Sequence, residues 1–235
     1  PSMTDPAEGI GGSDDGDEPR APDRSGRAAV IALFVACLIP EAVLFGADWG
    51  LWGNPRWRAA LLQDAAFWPG LLRNWQPNYP LQPLAMFLTY GFLHAGLVHF
   101  IVNMLTLVSL GPPVADRVGP ARFGAIWIAA TVGGALGFAL IAHTYSPMVG
   151  ASGALFGLAG ALLAWDYTDR RARRLSLTPV LRALLLLVAL NLVLWWAMNG
   201  LLAWQTHLGG FVAGWAMAVL LDRPRRYGAG SGRRR

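Results

Sequence analysis

From residue 28 onward the chain alternates between long apolar runs and short polar breaks. The runs occupy residues 28–47, 95–110, 124–143, 148–165, 180–198 and 201–221. A helix rises about 1.5 Å per residue, so crossing a hydrocarbon layer of about 30 Å takes about 20 apolar residues, with about 17 at the short end. Four runs reach that length, and those at 95–110 and 148–165 are borderline or interrupted. The pattern predicts an all-α polytopic membrane protein, with six transmembrane helices forming one domain over residues 28–222.

The two ends read differently. Residues 1–27 hold seven acidic residues among many Gly and Pro, with no apolar periodicity. Such a segment cannot bury enough surface to offset its ordering entropy, so it is expected to be disordered. It lacks the apolar core of a secretory signal peptide. Residues 223–235, from RPRRY to three terminal arginines, form a basic tail expected to be mobile.

Composition agrees with a bilayer setting. Hydrophobic residues make up 54% of the chain and charged ones 14%, against about 25% charged in ordinary soluble domains. All 19 basic residues are Arg, and their placement is uneven. With six spans and both ends on one side, 16 of them fall on the tails and on the second and fourth loops. The opposite side holds only Arg56, Arg58 and Arg73. The positive-inside rule then puts both termini in the cytoplasm, with the protein in the cell's inner (cytoplasmic) membrane. Loop arginines at a membrane surface explain the basic pI, and no nucleic-acid partner is needed. The Arg-only, Ala- and Gly-rich composition suggests a bacterium with a GC-rich genome. Cys37 is alone, so no intrachain disulfide forms, and it reads as a small core residue.

Polar side chains inside apolar runs are costly and point to function. His94, His99 and Asn103 lie in GFLHAGLVHFIVN, Ser152 lies in VGASGALFGLAG, and His207 lies in WQTHLGGFVAG. With the amino terminus inside, the second, fourth and sixth helices all run from outside to inside. From His99 to Gly111, Ser152 to Trp165 and His207 to Leu221 the rise is about 20 Å each. One Ser and two His therefore share a level about 10 Å below the outer surface. A Ser between glycines is usually packing filler in a membrane helix, and Gly150-Ala151-Ser152-Gly153 alone is a weak G-x-S-G signal. The shared depth favours a nucleophile. Gly153 with Gly157, and Gly210 with Gly214, are G-x-x-x-G pairs that let the fourth and sixth helices approach closely. Contact there would bring Ser152 within hydrogen-bond reach of His207.

The chemistry then has its parts. A neutral His is the usual base for a Ser hydroxyl near pH 7. His99, the Asn103 amide one turn on, and the Ser152 backbone N–H can donate to a developing oxyanion, with Gly150 beside them. No carboxylate stands near His207, which favours a dyad over a triad.

Over roughly residues 28–222 the chain resembles the rhomboid intramembrane serine proteases, through HAGLVHFIVN, GASG and HLGGFVAG. The resemblance implies a six-helix core with both ends cytoplasmic, Ser152 as nucleophile and His207 as general base. It implies an oxyanion hole from His99 and Asn103 supported by His94, and an aromatic ring at Phe156 stacked on the base, where the family often has Tyr. It implies transmembrane proteins as substrates, cut at or just inside the outer membrane face where a helix unwinds. Two family features depart. The Trp-Arg pair often found before the first His aligns with Ala85-Met86, and Trp57-Arg58 lies early for it. The acidic residue after the second helix appears in Val114-Ala115-Asp116-Arg117.

Other polar residues take bland readings. His143 reads as interfacial, and Glu41 as a snorkelling carboxylate near Asp48 and Trp49. Trp195 and Trp196 read as an aromatic belt, with a lateral substrate path beside the second helix as the alternative. The run DRRARR reads as a topology signal. There is no H-E-x-x-H, so no metal is expected, and no cofactor is implied. The rival readings are an inactive, binding-only relative, which typically lacks the Ser or the His, and a transporter, which needs internal repeats around a midplane site.

Overall fold

The computed structural model describes residues 24–221. The segments expected to be disordered or mobile lie outside the described residues, except that residues 24–27 are already helical. Helix α1 runs Arg24–Asp48. Its early start has a packing cause: Gly26 is buried, and a methyl there would stand 3.2 Å from Ala115 Cβ.

Among the described residues seven further α-helices follow: α2 (Trp57–Ala65), α3 (Gln82–Thr89), α4 (Leu97–Val118), α5 (Pro120–Ile141), α6 (Ser152–Ala172), α7 (Thr178–Ala197) and α8 (Trp204–Leu221). Among the described residues there is no strand, only an isolated bridge between Phe67 and Met148. α4 passes into α5 through Gly119, whose φ of +81° suits glycine, and Pro120 then opens α5 with its fixed φ.

Among the described residues four helices, α1, α4, α5 and α7, are long and apolar enough to cross a membrane. α6 and α8, also expected as spans, do not reach that hydropathy. The reason lies at their polar ends. α6 closes on Asp166, Asp169, Arg170 and Arg171, while its apolar stretch buries Gly153, Ala154, Gly157, Gly160, Ala161 and Ala164, small residues that allow close approach. α8 opens on Trp-Gln-Thr-His before its apolar stretch. At Gly210 and Gly214 a methyl would run into the backbone of Gly153 and Gly157. On the other flank of α8, a methyl on Gly137 of α5 would lie 2.6 Å from Gln205 O. α8 is thus clasped between α5 and α6 at backbone contact, which fixes the position of its first turn.

Below the loops, Phe67 is fully buried. Phe87, Tyr90 and Phe138 stand around it at 5.1, 6.1 and 6.1 Å in edge-on geometry, each such pair worth about 0.5–1.5 kcal/mol beyond area. This cluster also reaches the site. Phe67 and Met148 exchange backbone hydrogen bonds of 3.0 Å, and Gly150 N–H donates to Tyr90 O at 3.0 Å. The chain entering α6 is therefore held on both sides.

The connection between α1 and α4 is built on one ion cluster. Arg58 of α2 donates to both Glu41 oxygens at 3.0 Å, to Asp48 at 2.6 Å and to the His94 carbonyl at 2.8 Å. Burial works against the charge of Arg58, but hydrogen bonds and attraction from Glu41 and Asp48 outweigh it and raise its pKa. Glu41 is 2% exposed. The snorkelling expected for it is thus corrected: a partner lies within reach inside the protein, and the carboxylate turns inward. Met86, aligned with the family's arginine, is instead a core residue.

Candidate active site

Ser152 is the first residue of α6, so its backbone N–H is one of the donors a helix start leaves without an intrahelical partner. Gly150, two residues earlier, has φ +126°, a conformation L side chains rarely adopt. His207 sits in the first turn of α8 and is buried. Its Nε2 stands 2.9 Å from Ser152 Oγ. Phe156, one turn along α6 from Ser152, stacks on the imidazole at 4.2 Å and 6°. One helix supplies both the hydroxyl and the ring that fixes the imidazole plane.

The far side of the site comes from α4. Ala95 N–H donates to His99 Nδ1 at 3.4 Å, which leaves Nε2 as the protonated nitrogen of a neutral ring. A methyl placed on Gly150 would stand 2.8 Å from His99 Nε2 and 3.7 Å from Asn103 Nδ2. Both donors thus face the bare Cα of Gly150. Asn103 is buried, and its Nδ2 has no hydrogen-bond partner in the protein. His94 is buried behind them, edge-on to His99 at 5.3 Å, with neither ring nitrogen partnered. A buried unsatisfied donor is uncommon and calls for an explanation.

Two neighbours have roles that the sequence did not assign. Asn191 of α7 places Oδ1 2.6 Å from His207 Nδ1. It is a lone amide within the apolar run ALLLLVALNLVLWW, and the cost of a polar group at membrane depth is the signal that finds it. Arg58 is the other, since it holds the carbonyl of His94 from α2. Among the described residues no group of three or more His, Cys, Asp or Glu is placed to hold a metal ion. His143 is exposed and outside this constellation.

A cavity of about 610 Å³ opens beside His207, its lining including Phe156, Asn191, Trp195, Trp204 and Phe211. Trp195 therefore faces the site, whereas Trp196 is 78% exposed. The described lining comes from α6, α7 and α8 and not from α4, so this cavity does not lie beside the second span.

The family profile described as the Rhomboid domain matches residues 82–224. The chain is 34% identical to "RHOMBOID-like protein 6, mitochondrial" of Arabidopsis thaliana, over 57% of this chain and 42% of that protein. It is 36% identical to "RHOMBOID-like protein 5" of Arabidopsis thaliana, over 58% of this chain and 44% of that protein. It is 33% identical to "Rhomboid protease GluP" of Bacillus subtilis (strain 168), over 59% of this chain and 26% of that protein. The chain spans less than half the length of these curated relatives. From α3 to the end of α8, and so through every residue around Ser152 Oγ, the chain belongs to the rhomboid family.

Proposed function

We propose that this chain is an intramembrane serine endopeptidase that hydrolyses peptide bonds in or near transmembrane segments of other membrane proteins. The observation that carries the reading is the 2.9 Å contact between Ser152 Oγ and His207 Nε2. His207 Nε2 takes the hydroxyl proton as Oγ attacks the scissile carbonyl carbon. The oxygen that becomes anionic accepts hydrogen bonds from His99 Nε2–H, Asn103 Nδ2–H and the Ser152 backbone N–H, with Gly150 leaving room for it. The imidazolium gives its proton to the leaving amine, and an acyl-serine remains. Water, deprotonated by the same His207, attacks the ester and restores the hydroxyl.

The bilayer is both setting and constraint. In this reading all of α1, α4, α5, α6, α7 and α8 cross the membrane, both termini are cytoplasmic, and the enzyme resides in the inner membrane. Ser152, His99 and His207 then lie about 10 Å below the outer face. A substrate helix must unwind locally before its carbonyl can reach Ser152, because an intact helix keeps that carbonyl bonded four residues along. Small and helix-weakening residues are the expected cleavage neighbourhood.

The test is covalent labelling with a fluorophosphonate probe in detergent. Wild type should label, and Ser152→Ala and His207→Ala should not. A folded wild type that stays unlabelled under conditions where an active rhomboid protease labels would sink the proposal.

A further inference from the structure

α7 lies at the edge of the helix bundle, with Val180 its only buried residue among those described. After Arg182 its side chains are apolar or indole apart from one amide, Asn191. Asn191 is engaged at both ends. Its Nδ2 donates to Leu187 O at 3.1 Å, one turn back. Its Oδ1 stands 2.6 Å from His207 Nδ1. The flipped amide would set its oxygen against the Leu187 carbonyl, two acceptors facing each other, so the hydrogen-bond network fixes the orientation.

The consequence for the imidazole follows atom by atom. An amide oxygen only accepts, so the proton of the neutral ring sits on Nδ1. Nε2 then carries the lone pair, and Nε2 is the atom 2.9 Å from Ser152 Oγ. Phe156 cannot do this. Stacking at 4.2 Å holds the ring plane but leaves the ring free to turn within it and to exchange tautomers. The geometry points to Asn191 as the positioning residue that sets His207 in the tautomer able to take the Ser152 proton. It makes the dyad a relay of three groups, with its third member on α7. The assignment rests on the reading of Ser152 as nucleophile and His207 as base. As the ring becomes an imidazolium, the Nδ1–H···Oδ1 bond becomes charge-assisted and strengthens. The interaction is therefore worth more in the transition state than in the ground state, and its loss lowers kcat rather than raising KM.

Two variants of the full chain test this, Asn191→Leu and Asn191→Asp, each checked for folding by thermal unfolding in detergent. Three quantities are read: fluorophosphonate labelling rate, kcat and KM on a transmembrane peptide, and the ¹⁵N signature of the His207 ring. Asn191→Leu keeps the side-chain shape without the acceptor. It should lower the labelling rate and kcat about 10- to 100-fold with KM unchanged, a share of what general acid–base catalysis usually contributes. The His207 proton should move from Nδ1 toward Nε2. Asn191→Asp should restore the Nδ1–H form and most of the rate. Its carboxylate favours the imidazolium, so the acid limb of the pH–rate profile should move to higher pH. Wild-type labelling and an unmoved Nδ1 proton in Asn191→Leu would overturn the assignment. The ring signature is independent of turnover. An unlabelled wild type in which Asn191→Leu still shifts the ring proton would therefore sink the protease reading and leave the positioning role standing.

Discussion

Asn103 is the residue whose surroundings most directly invite a measurement. Its amide is buried, its Nδ2 meets no acceptor in the protein, and it faces the same bare Gly150 Cα as His99. On the proposed reading, a donor kept for a transition-state oxyanion is expected to look like this before substrate binds. Asn103→Ala should therefore lower kcat about 10²-fold, the usual cost of one oxyanion donor. It should leave thermal stability nearly unchanged, because no Nδ2 bond within the protein is lost. A variant that melts much earlier but retains kcat would mark Asn103 as a packing residue instead. At this scale the sequence was informative where spacing exists. His99 and Asn103 are one turn apart, Ser152 sits between glycines, and His207 precedes a G-x-x-x-G pair. Asn191 has no such spacing partner, and it escaped notice for that reason alone. The role of Glu41 was misread because its partner Arg58 is 17 residues away on another helix. No local period announces a contact of that kind.

At the scale of elements, the contact between α6 and α8 determines whether Ser152 and His207 meet at all. Gly157 and Gly214 touch through backbone, so a side chain on either must push the helices apart. Gly214→Val places its branched Cβ against the Gly157 carbonyl. Overpacking of this kind costs typically about 1–3 kcal/mol. The variant should melt earlier and label more slowly at Ser152, although residue 214 lies two turns from His207. Intact labelling at full stability would show that α8 can shift without moving His207. The G-x-x-x-G spacing made this pairing readable in the sequence, yet the polar ends of α6 and α8 hold their hydropathy below that of the other four long helices. α2 and α3 were the least legible elements. They are nine and eight residues long, and long-range contacts hold them in place. Examples are the 2.7 Å bond from Gln82 to Gln63 O and the rings around Phe67.

For the whole molecule, the ion cluster at Arg58 links what hydropathy alone leaves separate. It joins the C-terminal end of α1, through Glu41 and Asp48, to the start of α2 and to the carbonyl of His94 just before α4. The partners are not equivalent. Glu41 is 2% exposed and Asp48 33% exposed at the side chain, so only the first is a buried charge. Removing one member of a buried pair strands the other, a penalty of about 3–5 kcal/mol, whereas an exposed pair is worth about 0–1 kcal/mol. Arg58→Ala should therefore lower the unfolding temperature in detergent far more than Asp48→Ala. It should also slow labelling of Ser152, because the segment carrying His94 loses its tether beside His99. Equal and small shifts in the two variants would mean that water or detergent reaches Glu41 once Arg58 is gone, and that the cluster does not hold the connection between α1 and α4 in place. A large stability loss without any change in labelling per folded molecule would separate the two roles. The pair would then brace α1 against α2, and the position of His94 would be set by its contacts with His99 and Phe100 alone.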